Sequence, residues 1–118
     1  MVLRMAKGNV YAELVENLSM ELRRGALVLA VLSQLKKEQY GYSLKQQLAA
    51  GGLEINEGTL YPLLRRLESQ ELLESEWRVE NEARPRRYYK ISSKGKQALK
   101  DLSVEWQAIS SAINDLLA

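Results

Sequence analysis

The chain has 118 residues, 46% of them apolar and 27% charged, and its 17 lysines and arginines against 15 acidic residues leave a formal charge of +2. That is the size and composition of one domain with a single core. Cysteine and histidine are both absent, which excludes disulfides and thiolate chemistry, and removes the usual metal ligands and the commonest general base. The longest apolar run, residues 25–32, is too short to span a membrane, and residues 1–8 lack an apolar segment of signal-peptide length. A cytoplasmic protein without a cofactor or metal is expected.

Residues 1–8 read as a frayed start. Asn9 can cap a short helix with Val10, Leu14 and Leu18 on one face, too short to stand without docking on something. Ser19 caps the next helix, in which Leu22 lies opposite Arg23 and Arg24 and Gly25 loosens the junction. Residues 27–35 are apolar nearly all round, so this helix is expected to be the buried centre. Residues 36–41 form an exit turn, and residues 42–50 a short helix stopped by Gly51 and Gly52.

Residues 56–70 carry the most pointed pattern. At 100° per residue, Leu60, Leu63, Leu64 and Leu67 share one side of a helix. Gly58, Pro62, Arg65, Arg66 and Ser69 share the other, with Thr59 and Tyr61 on the flanks. Small residues near the start and two guanidinium groups suit a helix entering the roughly 12 Å major groove of DNA. An amphipathic core helix with a solvated charged face would carry the same pattern. Pro62 lacks an N–H and crowds the carbonyl of Gly58, so the helix is expected to begin near residues 57–59, with a kink possible at the proline. With the helix before it, and a glycine-bearing turn between, it makes a helix-turn-helix candidate.

Residues 73–80 alternate, Leu73, Ser75, Trp77 and Val79 pointing one way. Residues 87–92 form a second strand with Tyr89 and Ile91 on one face. The two make a hairpin whose tip and return strand carry Arg84, Arg86 and Arg87, and Pro85 marks an edge rather than a central strand. Charge is unevenly placed: residues 84–100 hold seven basic and no acidic side chains, the footprint of a polyanion site. Ser92 or Ser93 then caps a helix of about 25 residues. Its apolar positions Leu99, Leu102, Trp106, Ile109, Ile113 and Leu116 are spaced 3-4-3-4-3, a two-helix seam. A second copy of the chain is the expected partner, with Val10, Leu14 and Leu18 covering part of the seam; packing on the chain's own first helix is the alternative. Trp106, flanked by Leu102, could face its mate across an apolar slot for a flat aromatic or hydrophobic effector, or simply fill the interface.

The expected fold is mainly α with a small β-hairpin. It divides into an N-terminal segment with a short helix (1–20), a winged helix-turn-helix DNA-binding domain (21–92) and a long C-terminal dimerisation helix (93–118). The sequence resembles the PadR family of bacterial transcriptional regulators. The resemblance is carried by Tyr40-Gly-Tyr-Ser-Leu44, by Glu57-Gly-Thr-Leu-Tyr-Pro-Leu-Leu-Arg-Arg-Leu-Glu68 and by Arg84-Pro-Arg-Arg-Tyr-Tyr-Lys-Ile-Ser-Ser-Lys-Gly95. Three positions depart from the family's pattern. Tyr40 stands where histidine is usual, Glu71 where a glycine usually follows the groove helix, and Ala83 where the wing often has glycine. A longer groove helix and a stiffer wing tip are expected from the last two.

The resemblance implies a homodimeric regulator, a repressor on an inverted-repeat operator in double-stranded DNA, released by a small-molecule signal. On that reading Tyr42, Ser43, Lys45, Thr59, Tyr61, Pro62, Arg65, Arg66, Arg84, Arg86 and Arg87 are the candidate DNA contacts. A module of the same fold that binds protein through its long helix, without DNA, is the rival. An enzyme is not expected: no nucleophile sits beside a base, and no phosphate loop or metal spacing is present.

Overall fold

The computed structural model describes residues 2–82 and 84–118, with side chains from residue 9 onward. In chain order the elements are α1 (Val2–Gln34), β1 (Gln39–Tyr40), α2 (Gly41–Ala50), α3 (Glu57–Ser69), β2 (Leu73–Arg78), β3 (Arg86–Ile91) and α4 (Ser93–Leu117). The core collects Val31, Leu32 and Leu35 from α1, Leu44 and Leu48 from α2, Leu60, Leu64 and Leu67 from α3, and Leu73, Tyr89 and Ile91 from the sheet. The expected central helix is thus the second half of α1.

Several expectations are corrected. Two N-terminal helices were expected, but Val2–Gln34 is continuous, and neither Asn9 nor Ser19 caps anything. No proline interrupts this stretch, and a lone helical glycine costs only about 1 kcal/mol. Gly25 has nothing within 4 Å of where a Cβ would stand, so the helix runs past it. The exit turn contains a short strand, β1, which makes the hairpin a three-stranded antiparallel sheet in the order β1-β3-β2. β3 is therefore central, not an edge. Pro85 lies just outside it and removes no ladder hydrogen bond. Val79 lies beyond the end of β2 and is exposed. α2 begins one residue early, at Gly41.

Glu71 does not lengthen α3. It adopts φ +65° itself, and the helix stops at Ser69. The Leu72 amide bonds to the Leu67 carbonyl at 2.9 Å and the Glu71 amide to the Glu68 carbonyl at 2.9 Å, the paired bonds of a Schellman ending. Gly52 does the same for α2 at φ +99°, with the Leu53 amide on the Leu48 carbonyl at 2.8 Å. The Ser92 hydroxyl then ties two ends together: it donates to the Glu71 carbonyl at 2.6 Å and accepts from the Gly95 amide at 2.9 Å, capping α4. The effect of Ala83 on the wing tip lies outside the described residues.

The outer halves of α1 and α4 leave the core. Leu99 is only 8% exposed and belongs to the protomer's own core, so the seam of α4 open to a partner starts at Leu102. The radius of gyration is 17.7 Å, against about 13–14 Å for a compact chain of this length.

Candidate nucleic-acid interface

α3 is positioned by its two ends and its buried face. The Asn56 side chain accepts from the Thr59 amide at 2.9 Å, fixing the start. Leu60, Leu64 and Leu67 are buried, which turns Gly58, Pro62, Arg65, Arg66 and Ser69 outward, all exposed. Pro62 is the sixth residue of the helix and removes the amide that would bond to the Gly58 carbonyl. Gly58 has no side chain there, so the exposed face begins with backbone rather than bulk.

The flanking residues divide. Tyr61 is half-buried, and its ring packs so close to α2 that a Cβ on Gly41 would lie 2.4 Å from its Cε1. Burial, with the Glu57 charge second, raises its pKa above the ordinary 10, so at neutral pH it remains a neutral hydroxyl donor. Thr59 is half-buried beside the helix start. On α2, Tyr42 is exposed and accepts from the Gln46 amide at 3.2 Å. The Ser43 hydroxyl is occupied locally, 2.9 Å from the Tyr40 carbonyl and 3.1 Å from Gln39 Oε1. Lys45 reaches Glu57 at 3.9 Å, a loose surface pair between α2 and α3.

The three wing arginines do not form one cluster. Arg84 and Arg86 are exposed, and the Arg86 guanidinium lies 4.5 Å from the centre of the Tyr40 ring. Tyr40 in turn meets Tyr88 edge to face at 5.6 Å, and Arg78 covers Tyr88 at 4.7 Å while pairing with Glu38 at 2.6 Å. Arg87 sits on the opposite face of β3, with Tyr89 and Ile91. Its Nη2 meets Glu68 at 2.6 Å and its Nε donates to the Ser75 hydroxyl at 3.0 Å. The guanidinium is turned toward α3, whereas Arg84 and Arg86 stand exposed. Sequence reasoning missed Glu68, Ser75 and Tyr40 as partners. The signal for Arg87 was present, since strand alternation places it with Tyr89 and Ile91.

Trp106 is 47% exposed, and Leu102 is exposed one turn before it on α4. Val10, Leu14 and Leu18 are likewise exposed, as are Ile109, Ile113 and Leu116.

A groove helix with an arginine face, a preceding helix crossing it, a wing and a protruding terminal helix define a winged helix-turn-helix regulator. The transcriptional regulator PadR-like family matches residues 28–101, and the chain belongs to that family. It is similar to a PadR family transcriptional regulator from Eggerthella lenta, 44% identical with a TM-score of 0.82, covering 92% of this chain and 96% of that one. A PadR-like transcription factor from Bacteroides fragilis is 35% identical with a TM-score of 0.71, covering 85% and 98%. The transcriptional regulator Rv3488 of Mycobacterium tuberculosis is 41% identical over 80 residues, 67% of this chain and 74% of that protein. The protein is a DNA-binding transcriptional regulator and not an enzyme. Among the described residues no helix is long and apolar enough to cross a membrane.

Proposed function

We propose that the chain acts in the cytoplasm as a twofold homodimer that represses transcription from an inverted-repeat operator. The observation that carries this is the outward face of α3: Arg65 and Arg66 stand exposed beside Gly58 and Pro62 on a helix whose other face buries Leu60, Leu64 and Leu67. In the complex Arg65 and Arg66 enter the major groove, with Thr59, Tyr61 and Pro62 near the helix start. Tyr42 and Lys45 anchor the preceding helix to phosphate. Ser43 acts by holding the start of α2, since its hydroxyl is occupied by backbone. Arg84 and Arg86 carry the wing to the adjacent backbone or minor groove. The exposed seam of Leu102, Trp106, Ile109, Ile113 and Leu116, with Val10, Leu14 and Leu18, supports dimerisation, which spaces two groove helices about 34 Å apart. A flat aromatic or hydrophobic effector between paired Trp106 side chains releases the DNA.

The test is a band-shift titration on a duplex selected from random sequence. Arg65→Ala or Arg66→Ala is expected to lower affinity by about 1–3 kcal/mol, and unchanged affinity in both removes α3 from the reading head.

A further inference from the structure

Glu68 is an unexpected residue on a helix that faces a polyanion, since a carboxylate there opposes binding by charge alone. It does not point into solvent. One oxygen meets Arg87 Nη2 at 2.6 Å, the other takes the Ser75 hydroxyl, and Ser75 Oγ accepts from Arg87 Nε at 3.0 Å. The three groups close a ring across α3, β2 and β3. The Glu68 and Arg87 side chains are only 26% and 34% exposed, so water screens the pair less than an open surface bridge. The rings of Tyr89 and Trp77 stand 5.6 and 5.8 Å from the guanidinium.

The register shows what this ring holds. Arg87 pairs with Trp77, and only the Arg78–Arg86 rung lies between it and the wing tip. The ring therefore grips both strands where the hairpin leaves the body of the domain. At the far end of β2 the turn through Glu71 joins α3 to the sheet, and between the two the leucines of α3 share a core with Leu73, Tyr89 and Ile91. The ring adds a polar fixed point at the wing end of that contact, where it bears on the wing's angle.

We propose that Glu68, Arg87 and Ser75 form a clasp that sets the angle between wing and groove helix. Glu68 and Arg87 are then positioning residues for DNA recognition rather than contacts. This rests on the contact set proposed above, in which α3 and the wing engage one duplex together.

The test measures affinity for the selected duplex over a range of salt. Glu68→Gln is isosteric and removes a negative charge from the DNA-facing helix, so charge alone would tighten binding. The clasp predicts the opposite, a loss of about tenfold, the scale of coupling carried through a packed network. Arg87→Met is expected to give a similar loss with the slope of log K against log salt unchanged. The exchanged pair Glu68→Arg with Arg87→Glu is expected to recover most of the affinity. Tighter binding by Glu68→Gln, the result of charge alone, or a slope smaller by about 0.9 in Arg87→Met, the sign that Arg87 reaches a phosphate, would overturn the clasp. Unchanged affinity in both variants overturns it as well. If Arg87→Met unfolds by circular dichroism, Glu68→Gln and Ser75→Ala carry the test. Wild-type protein that ignores duplex DNA would instead bring down the contact set beneath it.

Discussion

At the scale of single residues, Glu71 and Gly95 mark two backbone positions where side-chain size and handedness decide stability. Glu71 holds the left-handed conformation that ends α3, where an L side chain costs about 1 kcal/mol or more relative to glycine. Glu71→Gly is expected to stabilise the chain by about 1 kcal/mol, raising its melting temperature by about 4–5 °C in calorimetry. A lowered melting point would mean that the glutamate side chain contributes something its exposure does not suggest. Gly95 is the reverse case. A Cβ there would lie 2.1 Å from the Leu72 carbonyl oxygen and 2.7 Å from Ile91 Cγ1, so α4 could not keep its seat against the sheet. Gly95→Ala should cost about 2 kcal/mol or more, read as a shift in the denaturant midpoint. Tyr40 gives Arg86 an aromatic face to lie on, with the guanidinium 4.5 Å from the ring centre.

At the scale of elements, the legible parts were those whose pattern is local. α3 could be read because its leucines recur with helical period and its polar residues fall on one side. α4 could be read from the Ser92 cap and an unbroken apolar stripe. α1 misled, because Asn9 and Ser19 are good capping residues and Gly25 a poor helix former, yet none is decisive without a proline. Gly25→Ala is accordingly expected to stabilise α1 by about 0.5–1 kcal/mol, visible as added thermal stability, since no neighbour blocks the methyl group. Loss of stability would point to a close approach at Gly25 by a partner chain. β1 was illegible for another reason. Gln39 and Tyr40 pair with Tyr89 and Tyr88, and two residues cannot announce a strand without knowledge of what they lie beside. The central place of β3 follows from that same pairing. The inward turn of Arg87 was legible in principle, since strand alternation sets it with Tyr89 and Ile91 and opposite Arg86.

At the scale of the whole molecule, the elongated shape, 57 × 37 × 25 Å, sets apolar side chains on protruding stretches of α1 and α4. A single protomer leaves Trp106, Ile109 and Ile113 exposed, and the proposed pairing of two copies along this stripe would remove them from water. Ile109→Asp with Ile113→Asp should leave the helical signal in place while halving the sedimenting mass. A dimer that persists in that variant would put the interface elsewhere. The proposed effector slot belongs to this scale too, because the proposal gives it the other protomer as its second wall. With Trp77 replaced by Phe, planar apolar dyes should quench the remaining indole, and the response should vanish in Trp106→Ala. The proposed binding of a dimer to an operator is decided by stoichiometry. Analytical ultracentrifugation of the purified chain with a selected inverted-repeat duplex should show two chains per duplex, dissociating as salt is raised. One chain per duplex, or no complex at low salt, would contradict it.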